Sequence, residues 1–296
     1  MAVLRIATRS SAQARTQAEA VAAQIERHTA DTTVELVFIE TSGDLNTSTP
    51  LHQMGGQGIF VKEVQRAVLD GRADLAVHSA KDLPSAQADG LVIGAFTQRR
   101  TPNDALIGAT LNSLAQGATV ATGSVRRRAQ LARVRPDLNF VELRGNIQTR
   151  LSKIPDGGAI VMAVAALEIL GLTDQIAQVL DIDTFVPMVG QGCVAVEARA
   201  DDLQTLEILS GIDHSSTRRA VETERAFLAE LGGGCSLPVA AHLDNDDVLR
   251  CFMSGDNGGF VQISGEIGHG DDHIMVGTAA AVTCRDRLQS GGATPS

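Results

Sequence analysis

The 296-residue sequence lacks tyrosine and tryptophan altogether, and its eight phenylalanines account for the whole aromatic content of 3%. A hydrophobic core must therefore be built mainly from Ala, Val, Leu and Ile. The shares of hydrophobic residues (44%) and charged residues (20%) are nevertheless those of an ordinary soluble globular protein. A chain of this length can bury a substantial core and predicts about two or three domains.

Long apolar runs are also absent. The best candidate, 159–167, falls well short of the roughly 18 apolar residues that a membrane span needs, and Glu168 interrupts it. The first residues include Arg5 and Arg9, where a secretory signal would require an apolar segment. We therefore expect a cytoplasmic protein that has no membrane as a partner.

The four cysteines form no C-x-x-C pair and have no regular spacing; they are Cys193, Cys235, Cys251 and Cys284. Cysteines placed in this way predict neither a disulfide framework nor a zinc site. His269 and His273 are four residues apart, but the Gly-Asp-Asp sequence between them is typical of a turn and not of a helix that presents two ligands. We expect no metal site.

The net charge of −10 at pH 7 argues against nucleic acid as a partner. Positive charge is nevertheless concentrated in the region 126–150, which contains seven arginines and two acidic residues. These arginines are Arg126, Arg127, Arg128, Arg133, Arg135, Arg144 and Arg150. A basic region within an acidic protein predicts a site for a small polyanion.

One segment combines an apolar run with a cluster of polar residues. Residues 73–77 predict a strand buried in a parallel sheet, and His-Ser-Ala-Lys-Asp at 78–82 follows directly. Pro84 prevents regular strand pairing from continuing. Ligands of open α/β sheets bind just beyond the carboxyl ends of the strands, so Lys81 and Asp82 are candidate site residues. The alternative is a solvated loop with an incidental ion pair.

The amino-terminal segment has a similar arrangement. Residues 4–8 predict a strand, and Arg9 and Ser11 then precede a helix that contains Ala14, Ala18, Val21, Ala22 and Ile25 at helical spacing. The start of a helix that follows a strand suits an anion. The alternative is that Ser11 only caps the helix and that Arg9 is a surface charge.

The basic region repeats this pattern. Residues 118–122 predict a strand, and Arg126 and Arg127 lie in the first turn of the helix predicted at 125–134. Cations in this position oppose the helix dipole at a cost of a few tenths of a kcal/mol to about 1 kcal/mol. We expect a bound anion to offset this cost; a solvated helix face is the alternative.

A further strand, 139–143, leads to Arg144 and then to a helix that carries Arg150. Several predicted strands therefore end in polar or cationic residues. Two α/β domains that face each other across a cleft would bring these strand ends together.

Two glycine-containing loops are candidates for functional segments. The polar region 41–58 is long for a connection inside a compact domain, which is typical of a functional or mobile loop, and Phe60 after it suits a core position on the next helix. A helix is predicted over 222–231, and the three glycines after it precede Cys235 and would expose its thiol on a loop that other groups can approach closely. A helix C-cap with a buried cysteine is the alternative. The strands and helix predicted after this loop, over 239–288, indicate a small α+β domain.

Together these residues closely resemble the porphobilinogen deaminase (hydroxymethylbilane synthase) family. The likeness extends from Leu4 to about Leu243 and is weaker beyond. It rests on separate motifs that occur in the family's order: Ile6-Ala7-Thr8-Arg9 with Ser11, Gly58-Ile59-Phe60-Val61-Lys62-Glu63, His78-Ser79-Ala80-Lys81-Asp82-Leu83-Pro84, Ser124-Val125-Arg126-Arg127, Leu143-Arg144-Gly145-Asn146 with Thr149-Arg150-Leu151, Gly190-Gln191-Gly192 and Gly233-Gly234-Cys235.

The resemblance implies an α/β fold with two doubly wound domains like those of type II periplasmic binding proteins, plus a small α+β C-terminal domain. The implied domains are 1–98 with 193–212, then 99–192, then 213–296. A dipyrromethane cofactor, made from two substrate molecules, is implied as a thioether on Cys235. Four porphobilinogen molecules are then added stepwise with loss of ammonia, and water releases the linear tetrapyrrole. A monomer is implied as well.

Within that chemistry Asp82 is the candidate catalytic residue. Loss of ammonia from the substrate leaves a cation, which a fixed carboxylate in a desolvated cleft stabilises, and the carboxylate can also transfer the proton lost from the pyrrole ring. Lys81 beside it favours the ionised carboxylate and can bind substrate.

Each pyrrole carries an acetate and a propionate, so the growing chain is a polyanion, and arginine forks match carboxylates. The remaining residues assigned to cofactor or substrate binding are Arg9, Arg126, Arg127, Arg144 and Arg150 for carboxylates, Ser11, Ser79, Thr122 and Ser124 as secondary donors, Phe60 as a ring that stacks on substrate, and Gln191 through its motif.

The sequence departs from the family at several positions. Gln57 stands where many members have lysine, and Ile169 stands where the family usually has arginine; smaller departures are Gln13, Ala80 and Gly123. Loss of two cations is expected to weaken polyanion binding by about 1 kcal/mol or more each. Because Asp82 and Cys235 are kept, we expect an active enzyme. The alternatives are a non-catalytic paralogue that binds a tetrapyrrole precursor or another polyanion, and a thiol enzyme that uses Cys235 with His78.

Overall fold

The computed structural model describes residues 2–29, 31–41, 58, 60–233, 237–255 and 258–291. Within these ranges the strands are β1 (Ala2–Arg9), β2 (Thr32–Ile39), β3 (Leu75–Ser79), β4 (Leu91–Phe96), β5 (Asp104–Ile107), β6 (Thr119–Ala121), β7 (Asn139–Val141), β8 (Ala159–Ala163), β9 (Gln178–Val179), β10 (Val194–Arg199), β11 (Val239–Leu243), β12 (Val248–Ser254) and β13 (Phe260–Glu266). The α-helices there are α1 (Ala12–His28), α2 (Lys62–Leu69), α3 (Val125–Val134), α4 (Ile147–Leu151), α5 (Val164–Glu168), α6 (Leu203–Ser210), α7 (Ser215–Glu230) and α8 (His273–Gln289).

The first sheet has the strand order β2-β1-β3-β10-β4. β1 pairs in parallel with β2 and β3, whereas β10 arrives from much later in the chain and runs antiparallel between β3 and β4. On one face Ile6 and Leu75 pack with Val21 of α1, and on the other Ala76 packs with Val64 of α2. Cover on both faces explains why β3 is a nearly continuous apolar run.

The second sheet repeats this topology with the order β7-β6-β8-β5-β9. β6 pairs in parallel with β7 and β8, and β5 runs antiparallel between β8 and β9. Every residue of β8 is buried, as expected for the centre of a sheet that is covered on both faces. The two domains are therefore of the same doubly wound type.

The third domain has a separate antiparallel sheet, β11-β12-β13. Its core joins Phe227 of α7, Cys251 of β12 and Cys284 of α8. Together with the two doubly wound sheets, this small α+β unit confirms the fold class expected from the sequence. The domain boundaries given above stay a prediction.

Two chain segments connect the first two domains and pack against each other. The Arg100 amide donates to Gly192 O at 2.8 Å. Gly192 has φ +83°, and a Cβ there would lie 2.6 Å from Arg100 O; Gly190 has φ +70°, and a Cβ there would lie 3.0 Å from Lys81 N. Both positions therefore require glycine, because the connecting backbone passes so close to residues at the mouth of the cleft.

Several element predictions are confirmed and others are wrong. Helix α3 covers the predicted 125–134. The helix predicted to begin at Glu222 begins instead at Ser215, because the His214 side chain caps it by accepting from Thr217 N at 3.3 Å. The sequence does not predict β4, β5 or α6. β4 contains Gly94, and Leu209 of α6 packs against it so closely that a Cβ on Gly94 would lie 2.5 Å from Leu209 Cδ1. β5 has only four residues.

No helix in the described part of the chain combines the length and the apolar character that a membrane crossing requires. The same described ranges contain no group of three or more His, Cys, Asp or Glu side chains that could hold a metal ion.

Candidate active site

The residues around Asp82 line a pocket at one edge of the first sheet. β3 ends at Ser79, a short 3-10 turn covers Ala80–Asp82, and the chain then turns away at Pro84. The pocket has a volume of about 50 Å³. It lies where the carboxyl ends of β1 and β3 meet the start of α1, and its lining includes five of the residues singled out in the sequence: Arg9, Ser11, Phe60, Ser79 and Asp82. We call it the Asp82 pocket.

Ser11 caps α1 and is also placed to donate to a ligand. Its Oγ caps α1 by accepting from Ala14 N at 3.3 Å. A hydroxyl that accepts in this way still has its own O–H to donate, and Ser11 lines the Asp82 pocket. The cap therefore orients the hydroxyl without consuming its donor.

Arg9 and Phe60 contact each other. The Arg9 guanidinium carbon lies 4.1 Å from the centroid of the Phe60 ring, within the range of a cation–π contact. Phe60 is half-buried and lines the pocket. The predicted stacking of Phe60 on a substrate ring stays a prediction, and the structure adds a contact in which Phe60 orients an arginine.

Ser79 is held by Gln17, a residue that the sequence did not single out. Gln17 Nε2 donates to Ser79 Oγ at 3.0 Å, and Ser79 Oγ lies 3.1 Å from Gln17 Oε1. Gln17 is buried on α1 and lines the same pocket. Its position on the inner face of an amphipathic helix was the available signal, since a buried amide requires a partner.

Lys81 lies half-buried beside Asp82. Burial lowers the pKa of its ammonium group to about 8; the charge of Asp82 opposes this shift, and the charge of Arg127 adds to it. An amine with this pKa is mostly protonated at neutral pH and loses its charge in mildly alkaline solution.

The second domain presents Arg150 to Asp82. Burial lowers the pKa of Arg150 to about 10, and the charges of Arg127 and Arg144 contribute to this shift. The charge of Asp82 opposes it. Arg150 Nε donates to Gly145 O at 2.8 Å, which fixes the side chain. Asp82 of the first domain therefore lies within electrostatic range of Arg150, a cation of the second domain.

Arg126 and Arg127 are buried and paired with Asp104, which the sequence did not single out. Arg126 Nη1 lies 2.7 Å from Asp104 Oδ2, and Arg127 Nη2 lies 2.7 Å from Asp104 Oδ1. Burial alone would raise the pKa of Asp104, but the two arginines outweigh it and hold this pKa well below its usual range. The three groups carry one net positive charge next to the cleft.

The other predicted polar ligands also serve the framework. Gln191 is buried, and its Nε2 donates to Asp104 Oδ1 at 2.9 Å. Ser124 Oγ caps α3 by accepting from Arg127 N at 3.3 Å. The buried Thr122 accepts from Ser124 N at 3.2 Å. The hydroxyls of Thr122 and Ser124 each retain a donor for a ligand.

Glu224 joins the connecting segments to the third domain. Its carboxylate accepts from Arg99 Nη1 at 2.6 Å and from Gly190 N at 2.8 Å, and lies 3.2 Å from His242 Nδ1. Burial would raise the pKa of Glu224, but Arg99 and His242 lower it to about 2. A charged group of α7 therefore fixes the backbone next to Gly190-Gln191-Gly192.

Cys235 and Gln57 lie outside the described residues. Gly233, two residues before Cys235, packs beside the loop that follows Asp82, since a Cβ on it would lie 2.8 Å from Ser85 Oγ. Cys193, Cys251 and Cys284 are all buried, and burial raises the pKa of Cys193 to about 12.

His78 is buried, and its Nε2 lies 3.1 Å from Glu197 Oε2. His78 lines the Asp82 pocket, but its Nε2 is occupied by the contact with Glu197, which disfavours its role as the base of a thiol enzyme.

The positions that depart from the family are distributed around the cleft. Ile169 is half-buried at the end of α5. Gln13 lines the Asp82 pocket, and Ala80 is buried in the turn before Asp82. Gly123 packs closely, since a Cβ there would lie 2.9 Å from Leu143 O.

Comparisons with known proteins identify the family of the chain. Residues 4–207 match the family model described as porphobilinogen deaminase, dipyromethane cofactor binding domain, and residues 218–286 match the model of the porphobilinogen deaminase C-terminal domain. The porphobilinogen deaminase of Nitratidesulfovibrio vulgaris (strain DSM 19637 / Miyazaki F) is 48% identical over 247 residues, covering 82% of this chain and 78% of that protein. That of Roseiflexus sp. (strain RS-1) is 43% identical over 296 residues, covering 98% and 97%.

Among solved structures, the methionine binding protein MetQ has a TM-score of 0.45 and 14% identity, covering 74% of this chain and 90% of that chain. A likeness this low carries no argument. The family models and the relatives do show the family, because the models span most of the chain and the relatives match most of it at 43–48% identity. The chain belongs to the porphobilinogen deaminase family.

Proposed function

We propose that this protein joins four porphobilinogen molecules into the linear tetrapyrrole hydroxymethylbilane with loss of ammonia, on a dipyrromethane primer attached to Cys235. The observation that carries the proposal is the placement of Asp82. Its carboxylate lies in a pocket with Arg9 of the first domain and within electrostatic range of Arg150 of the second. A carboxylate surrounded by cations in a cleft suits a reaction that develops positive charge on a polyanionic chain.

The residues present fit a dipyrromethane. Such a group carries carboxylates, and Arg9, Lys81, Arg144 and Arg150 are the side chains that would hold them. Arg126 Nε supports this fit, because it is buried and has no hydrogen-bond partner among the described residues. When bound, the dipyrromethane supplies the pyrrole carbon to which the first substrate adds.

Asp82 then acts on the substrate. Porphobilinogen loses ammonia and becomes a cationic azafulvene, whose charge the Asp82 carboxylate stabilises because it is fixed by the turn after β3. After the new carbon–carbon bond forms, the same carboxylate accepts the proton that the pyrrole carbon loses. Both steps require the Asp82 carboxylate to be ionised.

The cations divide into two groups. Arg9, Lys81, Arg144 and Arg150 bind carboxylates of the chain directly. Arg126 and Arg127 are engaged with Asp104, so their main contribution is positive potential, together with the N–H groups that Asp104 leaves unused. Ser11, Ser79, Thr122 and Ser124 add hydroxyl donors, and Gln191 positions Asp104.

We further infer that the protein works in the cytoplasm as a monomer and binds no nucleic acid. The inference is supported by the net charge of −10 and by the resemblance to the family.

Intact-mass measurement with peptide mapping tests the primer. Protein purified from a host that makes tetrapyrroles is expected to carry an excess mass equal to one dipyrromethane, located on Cys235, and a Cys235→Ala variant is expected to lack it. An unmodified Cys235 in active protein overturns the proposal. An adduct on Cys235 without product release from porphobilinogen supports the alternative, a paralogue that binds the precursor without turnover.

A further inference from the structure

A second pocket adjoins the Asp82 pocket, and the sequence did not predict it. It lies between the first two domains, where Lys81 and Arg100 face the small residues of the segment Ala163–Ala166. Gln13, Gln17 and Ser79 line both pockets and so form the wall between them. We call this second space the Arg100 pocket.

The charge of the Arg100 pocket is positive. Lys81 and Arg100 are its charged residues, and no acidic side chain occurs among the described residues that line it. The Asp82 pocket, on the other side of the wall, contains the carboxylate. The wall of two glutamines and one serine therefore separates a pocket that contains both a carboxylate and the Arg9 guanidinium from a pocket whose charged residues are all cations, which suits an anion.

Arg100 differs sharply from its neighbour Arg99. Arg99 is committed to the framework, because it donates to Glu224 Oε1 at 2.6 Å and to Gln191 O at 2.8 Å. Arg100 is exposed, and within the described ranges its guanidinium forms no ion pair and no side-chain hydrogen bond. Five N–H donors at the rim of a cationic pocket are thus available to a ligand.

The backbone of Arg100 is fixed although its side chain is exposed. Its amide donates to Gly192 O at 2.8 Å, and the two connecting segments pack so closely that position 192 accepts only glycine. A guanidinium that starts from a fixed backbone point between two domains loses less freedom when it binds than one on a mobile loop.

The size of the Arg100 pocket limits what it can hold. Its volume of about 20 Å³ exceeds the roughly 10–15 Å³ that a single water needs, and it is too small for a pyrrole ring. A carboxylate on a short side chain fits, with the ring remaining outside in the cleft.

We propose that Arg100 binds one carboxylate of a pyrrole unit in the Arg100 pocket, while the ring of that unit lies beside Asp82. This rests on the proposed function, since the ligand is a pyrrole with acidic side chains. Arg100 then determines which way round the ring enters, because its acetate and its propionate differ in length and only one of them reaches the pocket.

The test compares Arg100→Gln with Arg100→Lys and with Arg66→Gln, a control that removes an exposed arginine on α2, outside the cleft. We expect Arg100→Gln to raise the KM for porphobilinogen about five-fold with kcat nearly unchanged, as for an exposed charged contact. Arg100→Lys is expected to recover part of this loss, and Arg66→Gln is expected to change nothing.

Two substrate analogues make the test specific. One replaces the acetate of porphobilinogen by methyl, and the other replaces the propionate by ethyl. For the analogue that lacks the bound carboxylate, wild type and Arg100→Gln are expected to have the same KM. An unchanged KM in Arg100→Gln overturns the proposal. An equal rise for the substrate and both analogues also overturns it, because that result shows a field effect without a contact.

The design separates this proposal from the proposed function. If wild type turns over porphobilinogen and Arg100→Gln has the same KM, only the proposed role of Arg100 is wrong and the proposed function stands. If wild type gives no product, the proposed function fails, and the same comparisons are then made from calorimetric Kd values with porphobilinogen and the two analogues.

Discussion

The two walls of the cleft hold their polar residues in different ways. On the first-domain wall Arg9, Ser11 and Asp82 line an open pocket, and the Ser11 hydroxyl that caps α1 still has a donor for a ligand. On the second-domain wall Arg126 and Arg127 are buried against Asp104. A side chain on an open pocket can be changed with little effect on folding, whereas a buried charge network cannot. The residues of the Asp82 pocket are therefore expected to contact substrate, whereas the Asp104 network is expected mainly to maintain the site.

The largest expected effect lies on the first-domain wall. Asp82→Asn keeps the shape of the side chain but removes its charge and its ability to accept the ring proton. We expect kcat to fall roughly 100- to 10,000-fold, with the dipyrromethane adduct and the thermal unfolding midpoint retained. Turnover assays on protein whose intact mass shows the adduct measure this. Near-normal turnover in that protein would remove Asp82 from its catalytic role.

The second-domain wall should respond in the opposite way. Asp104→Ala leaves two buried guanidinium groups without their counter-ion, and the loss of one partner of such a network costs about 3–5 kcal/mol. Urea unfolding of Asp104→Ala, with Asp82→Ala as the matched control, measures the difference. If both variants unfold at the same urea concentration, the distinction between the two walls is wrong.

The pH dependence of the KM for porphobilinogen tests the role of Lys81, whose pKa depends on charges from both walls. The pKa of Lys81 is lowered to about 8, so its charge is present below that pH and is lost above it. We expect the KM for porphobilinogen to rise as pH passes through about 8, because the substrate carboxylates remain ionised there while one of their cations is neutralised. In Lys81→Arg the rise should disappear, since arginine keeps its charge. The same inflection in that variant would place the titration on another group.

What the sequence could predict follows the same division. Arg9, Ser11 and Ser79 could be found because each lies where a strand ends or a helix begins, and such boundaries leave local signals in the sequence. Asp104 could not be found in this way. It lies at the start of a four-residue strand, and its partners Arg126 and Arg127 are reached only through the fold.

The fold class was predictable from local patterns, but parts of the site were not. Alternating apolar runs and helical stripes indicate α/β domains wherever they occur. Glu224, however, lies on a helix whose predicted start was wrong, and it contacts Arg99 from the far side of the connecting segments. Cys235 was singled out among the cysteines by its glycines and by resemblance, and its role stays a prediction.

The smallest expected effect concerns the helix that supplies no cation to the cleft. Residues Val164–Glu168 of α5 contain none, and Glu168 accepts from Thr101 Oγ1, so Ile169→Arg would add a positive charge where the wall lacks one. We expect the KM for porphobilinogen to fall about two- to five-fold, the range of a partly exposed ion pair. Ile169→Gln serves as the control for size and polarity, and steady-state kinetics measure both. An unchanged KM in Ile169→Arg would mean that the cations already present, Arg100 among them, satisfy every carboxylate that reaches this part of the cleft.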